Sequence, residues 1–141
     1  FEYEYYKDLL RNEYLIFSTK VRAQHILGDF FLYEYDQIGG PSTLRGFING
    51  RFTGRSMFSN NNNLHLKIFD TIFENFFPSS FGISGAFDNG RVWNEGEDSK
   101  TWHTSYGYGI WIAPLDKAVL SFSQHVSNED RLLRFRLGWQ F

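Results

Sequence analysis

The sequence predicts an all-β chain built as an antiparallel, up-and-down transmembrane β-barrel, and three observations lead there. Aromatic residues make up 20% of the 141 residues, close to the 21% that are charged, while alanine-rich helical stretches are missing. Apolar and polar residues alternate with a period of two through several segments. The connections between those segments run short on one side and long on the other, as when the two ends of a sheet face different compartments.

In chain order, two strands are expected near residues 1–9 and 13–27. A long polar connection, 28–60, follows them. "SNNNN", 59–63, reads as the rim where that connection enters the next strand. In "NLHLKI", Leu64, Leu66 and Ile68 oppose Asn63, His65 and Lys67. A short turn near 72–79 leads to "FGISGAFDNG", where Phe81, Ile83 and Phe87 oppose Gly82, Ser84, Ala86, Asp88 and Gly90. Its "DNG", 88–90, also fits a type I′ hairpin turn. A turn there would leave only Arg91 to Trp93 before the next break at Asn94-Glu95-Gly96, too short for a partner strand. The strand reading is therefore preferred.

After a polar connection at 92–103, "SYGYGIWIA" sets Tyr106, Tyr108, Ile110 and Ile112 against Ser105, Gly107, Gly109, Trp111 and Ala113. "PLDK", 114–117, is a short turn. "AVLSFSQHV" then sets Ala118, Leu120, Phe122 and Val126 against Val119, Ser121, Ser123 and His125. "SNED", 127–130, is short where the pattern calls for a long connection. The final strand, 132–141, places Leu133, Phe135, Leu137, Trp139 and Phe141 on one face and Arg134, Arg136, Gly138 and Gln140 on the other.

The wet face decides the class. A soluble β-sandwich would pack its apolar side against a second sheet. A membrane barrel turns that side to lipid and lines a watery lumen with small and charged residues. The second account fits better: one side carries large aromatics and aliphatics, while the other mixes small residues with Arg, Lys, His and Asp. Tyr106, Tyr108, Trp139 and Phe141 fall near strand ends, where interfacial aromatics belong. No window approaches eighteen apolar residues, so a membrane helix is excluded, but a barrel strand needs only about 9–11 residues of alternating character.

A net charge of −2 without a basic run argues against nucleic acid as a partner. The chain has no cysteine, so a disulfide framework and a cysteine-based zinc site are both excluded. His25, His65, His103 and His125 lack metal-ligand spacing, and no metal site is expected. "GYG", 107–109, lacks the third glycine and the helix of a dinucleotide site. Neither a Gly-x-Ser-x-Gly elbow nor a carboxylate pair is present, so no catalytic residue and no cofactor is expected. The chain opens Phe-Glu-Tyr without an initiator methionine or signal peptide, in residues that already read as strand. A piece of a longer protein is the expectation.

"GGPSTLRGF", 39–47, is the most informative stretch. Gly39, Gly40 and Pro41 break the preceding element. An arginine between Leu44 and Gly46-Phe47 is odd for a bland loop. The stretch resembles the sixth extracellular loop of the BamA/TamA outer-membrane assembly family, also called bacterial surface antigens. That family has a Gly-Gly break, small residues, then Val-Arg-Gly and Phe or Tyr. Leu44 stands where valine is usual, while Arg45, Gly46 and Phe47 match. "FDNGRVW" (87–93), the hairpin "YGYGIWIAPLDKAVLSFSQ" and the closing "LGWQF" resemble further family segments in the right order. The flavour is similar to versions from Bacteroidota.

The resemblance implies a barrel of about sixteen strands, of which this chain supplies about seven C-terminal ones. It implies that the loop, 28–60, folds into the lumen and that Arg45 pairs there with Asp88. Asp88 also falls on the polar face by alternation alone. A planar guanidinium can bridge a carboxylate through two hydrogen bonds, which lysine cannot do. Asn63 stands where the family often has a lumen-facing glutamate, so a second acidic contact to Arg45 is in doubt.

Leu137, Gly138, Trp139 and Phe141 correspond to the closing strand and its terminal sorting signal. Gly138 matches the place where that strand kinks inward and weakens the seam, leaving an edge that could template a client strand. The implied function is insertion or translocation of β-barrel proteins at the bacterial outer membrane, without hydrolysis. The implied partners are outer-membrane lipid and lipopolysaccharide, the remaining strands and periplasmic domains, client barrels and accessory subunits. Two alternatives stay open at this point: a barrel that anchors or exports an N-terminal metallophosphoesterase or patatin-like enzyme, and a soluble carbohydrate-binding β-sandwich.

Overall fold

A computed structural model describes residues 1–10, 14–26, 36–73, 77–94, 100–115 and 118–139. The strands among them are β1 (Glu2–Leu10), β2 (Leu15–His25), β3 (Asp36–Ile38), β4 (Phe52–Gly54), β5 (Ser56–Phe73), β6 (Phe77–Trp93), β7 (His103–Pro114), β8 (Ala118–Val126) and β9 (Arg131–Trp139). Seven form one antiparallel sheet in the order β1-β2-β5-β6-β7-β8-β9. Chain order and spatial order agree, the mark of an up-and-down meander. The remaining two, β3 and β4, form a small ladder of their own in the long connection between β2 and β5. Among the described residues β1 and β9 are the open edges of the sheet and do not pair with each other.

The two faces of the sheet differ as alternation requires. One face exposes Leu64, Ile83, Tyr106, Tyr108, Ile110, Phe122, Leu133, Phe135 and Leu137, with Phe135 at 71%. No second sheet covers it among the described residues, so the sandwich alternative finds no support: this apolar face is the outside of a single layer. The opposite face buries Ser18, Ser59, Asn61, Asp88, Ser105 and His125. On β1 and β2 it carries Glu2 opposite Arg22 and Glu4 opposite Lys20. Arg22 Nη2 lies 2.6 Å from Glu2, and Lys20 contacts both glutamates. A face of alternating charges beside serines and asparagines is one that water wets.

Two features depart from the sequence expectation. The asparagine run is not the rim of a connection: β5 starts at Ser56, and Asn60–Asn63 pair fully with both neighbours. Asn61 lies opposite Lys20 on one side and Asp88 on the other. Four asparagines in a row are polar on both faces, so no period-two signal could mark them as strand. The "DNG" segment does run straight through β6, with Asp88 opposite Ser105 of β7. A bulge between Lys67 and Phe69 also shifts the β5–β6 register by one residue. Ile68 and Phe69 are consequently both exposed, and Phe69 stacks on Phe81 at 5.1 Å.

Towards the other end of the polar face sits a small apolar cluster of Trp111, Ala113 and Val119. The Trp111 ring lies over Gly82, where a Cβ would collide with it, and its indole N–H donates to the Ile83 carbonyl at 3.1 Å. The ladder between β8 and β9 runs in register from Val126–Arg131 to Ala118–Trp139, so Gly138 sits inside it opposite Val119. Phe141 and Gln140 lie outside the described residues, as do 28–35 of the long connection, 95–99 of the β6–β7 connection and 116–117 of "PLDK".

Candidate functional site

The site begins with the backbone of the long connection. Gly39 and Gly40 hold φ of +119° and +98°, a region that side chains rarely adopt. That geometry lets the Gly40 amide donate to the carbonyls of Leu44, at 3.0 Å, and Phe47, at 3.1 Å. The Gly39 amide donates to Thr43 Oγ1 at 2.9 Å, and the Phe47 amide to the Leu44 carbonyl at 3.1 Å. Residues 39–47 thereby close into a compact knot.

Leu44 and Phe47 are fully buried, with Ile38 and Met57, in a core flanked by Phe52 and Val92. Phe47 meets Phe52 edge-on at 5.2 Å, and Phe52 stacks on His103 at 3.5 Å. Leucine thus serves where the resembled motif carries valine, because the position needs an apolar side chain filling this pocket. The greasy residues of the motif attach the knot to the polar face of the sheet. The arginine between them is left pointing along it.

Arg45 meets Asp88 through both backbone and side chain. Its amide donates to Asp88 Oδ2 at 3.0 Å, its Nε reaches both carboxylate oxygens at 3.1 and 3.0 Å, and its Nη2 lies 2.5 Å from Oδ1. The Asp88 side chain is fully buried and that of Arg45 is 15% exposed. Ser105 of β7 adds a hydroxyl to Asp88 Oδ2 at 3.2 Å. The carboxylate is therefore satisfied by charge-assisted donors from loop and sheet together. The Arg45 guanidinium also donates to Asn63 Oδ1, and more weakly to the Asn62 carbonyl at 3.4 Å. A neutral amide occupies the place where a second acid was in doubt.

Three further contacts escaped sequence reasoning. Asn61 donates to the Thr43 carbonyl. The Gly46 amide donates to Ser105 Oγ at 3.2 Å, and a Cβ on Gly46 would sit 2.5 Å from Ser105 Cβ. Glycine is required there by closeness of approach. Arg134 of β9 donates through Nε and Nη2 to the Arg45 carbonyl at 3.3 Å, and through Nη2 to the Phe47 carbonyl at 3.1 Å. Alternation placed Arg134 on the polar face, but nothing in the sequence indicated a carbonyl as its target. Gly138 lies apart from this cluster on the same strand, and Leu137 is exposed on the apolar face.

The cluster does not form a nucleophile–base–acid relay. Ser123 and His125 hydrogen-bond at 3.1 Å, but Asp88 bonds Ser105 and the arginine rather than the imidazole. Among the described residues no group of three or more His, Asp or Glu could hold a metal ion. What the arrangement can do is fasten a loop to the inner face of a sheet.

A family model described as the Omp85 superfamily domain matches residues 1–141. The chain belongs to the Omp85 superfamily. Neither the search of curated proteins nor that of solved structures returned a match. Membership makes the seven-stranded sheet part of an outer-membrane β-barrel of the BamA-like kind, from a family of assembly and translocation proteins. The exposed apolar face of this Omp85 sheet is then its lipid side and the polar face its lumen side.

Proposed function

We propose that this Omp85 chain is the C-terminal part of a bacterial outer-membrane barrel that aids insertion of β-barrel proteins, with the loop held in the lumen by Arg45 and Asp88. The observation that carries the reading is the multiple bonding of Arg45 to a fully buried Asp88 on β6. A loop that served only as a surface connection would gain nothing from burying a carboxylate to receive it, since desolvating that charge costs several kcal/mol unless it is paired. β9 supplies the closing strand, and its edge supplies backbone groups for an incoming client strand. Lipid and lipopolysaccharide surround the barrel, and client barrels and accessory subunits bind it. The reaction is a rearrangement of strand pairing without hydrolysis.

The test uses the full-length protein in bilayers, with the folding of an added outer-membrane porin as readout. Wild type should accelerate that folding, and Arg45→Ala or Asp88→Ala should slow it towards the rate in empty bilayers. A wild-type protein that leaves the porin's rate unchanged would overturn the reading.

A further inference from the structure

Arg45 does more than meet Asp88, because its neighbouring atoms face four different strands. The side chain holds Asp88 on β6 and Asn63 on β5. The next amide, of Gly46, holds Ser105 on β7. Its own carbonyl receives Arg134 from β9. A sheet of this order is joined edge to edge only by ladders, each of which links adjacent strands. The knot adds a direct link from β5 and β6 to β9 that bypasses the ladders between them.

A second tie lies outside the first. Arg51, four residues beyond the knot, forms an ion pair with Glu129 in the turn between β8 and β9, at 2.6 and 3.1 Å. Between the two ties, Gly46 lies close to the backbone of Val126 at the end of β8, where an added Cβ would sit 3.2 Å from the carbonyl carbon. Loop and last hairpin thus touch at three places along its length. β9 is itself an edge, held to the described sheet by one ladder only.

We infer that the loop is a brace for the β8–β9 hairpin, with Arg134 as its positioning residue, so that loop and hairpin move as one unit. A guanidinium suits this role because its fork spans two carbonyls at once, and a buried carbonyl left without a donor is costly. The inference concerns a coupling between two parts of the chain and stands whether or not client proteins are inserted.

The test is a pair of distances measured by spin labelling in the full-length protein in bilayers. This chain has no cysteine, and with any cysteine outside it replaced by serine, Ile48→Cys with Asn128→Cys reads loop to hairpin and Ile48→Cys with Thr101→Cys reads loop to the start of β7. All three positions are exposed. In Arg134→Ala/Glu129→Gln the first distance should lose its single narrow distribution, while the second keeps its own because Asp88 still holds Arg45. A first distance that stays narrow would overturn the inference, and so would equal broadening of both. Should that double variant fail to fold, Arg134→Met/Glu129→Gln is read in the same way, since a thioether keeps the length of the side chain but offers no N–H to either carbonyl.

Discussion

The amide and the guanidinium of Arg45 converge on the one carboxylate of Asp88, 43 residues further along the chain. Because backbone and side chain share the acceptor, the carboxylate fixes both where the loop lies and how its arginine points. Removing either partner leaves the other without its counter-charge.

Arg45→Ala and Asp88→Ala should each destabilise the barrel by about 3 kcal/mol, the lower end for a buried pair, since Arg45 keeps some contact with water. Heat-modifiable gel migration should shift to lower temperature, and protease should cut within 39–51. A wild-type cutting pattern in both variants would remove the anchoring role.

Gly46→Ala should lift the knot off β7, because the new methyl group would sit 2.5 Å from Ser105 Cβ. Ser105→Gly removes that Cβ. The double variant should therefore resist protease better than Gly46→Ala alone, although it lacks the Ser105 hydroxyl. A double variant no better than the single one would mean that the close approach is not what selects glycine.

Asn63→Asp should strengthen the loop's attachment. The Arg45 guanidinium already donates to the Asn63 amide oxygen, and an ionised acceptor at that place would hold it more strongly. Replacing a neutral acceptor by an ionised one gains about 1 kcal/mol. Slower proteolysis of 39–51 at neutral pH checks this; faster proteolysis would show that repulsion from Asp88 wins.

Trp111→Ala should cost about 3–5 kcal/mol by emptying the space over Gly82, while leaving the knot attached. Its expected signature is a lower unfolding temperature with an unchanged loop cutting pattern. Glu129→Gln gives the reverse contrast. Its partner Arg51 is largely solvated, so stability should change by less than about 1 kcal/mol.

Much of this arrangement was legible in the sequence, and the reasons differ by element. β7, β8 and β9 alternate cleanly, so their faces follow from period two alone. Trp111, Ala113 and Val119 show the limit of that reading, since an apolar cluster on the lumen face looks polar-side by parity and hydrophobic by type. β5 was cut short because asparagine on both faces carries no parity. Arg45 and Asp88 were brought together by family resemblance with parity as a check. Arg134 and Ser105 were not, because their targets are a backbone carbonyl and a shared oxygen, which leave no pattern along the chain.

The asparagine run has a consequence for assembly. Sliding β5 by two positions along β2 or β6 would replace asparagine with asparagine over part of the run, so those residues discriminate poorly between correct and slipped alignments. Asn61 on the Thr43 carbonyl and Asn63 on Arg45 do discriminate, since each meets a fixed atom of the knot. The loop is then a gauge against which the longest hairpin is aligned.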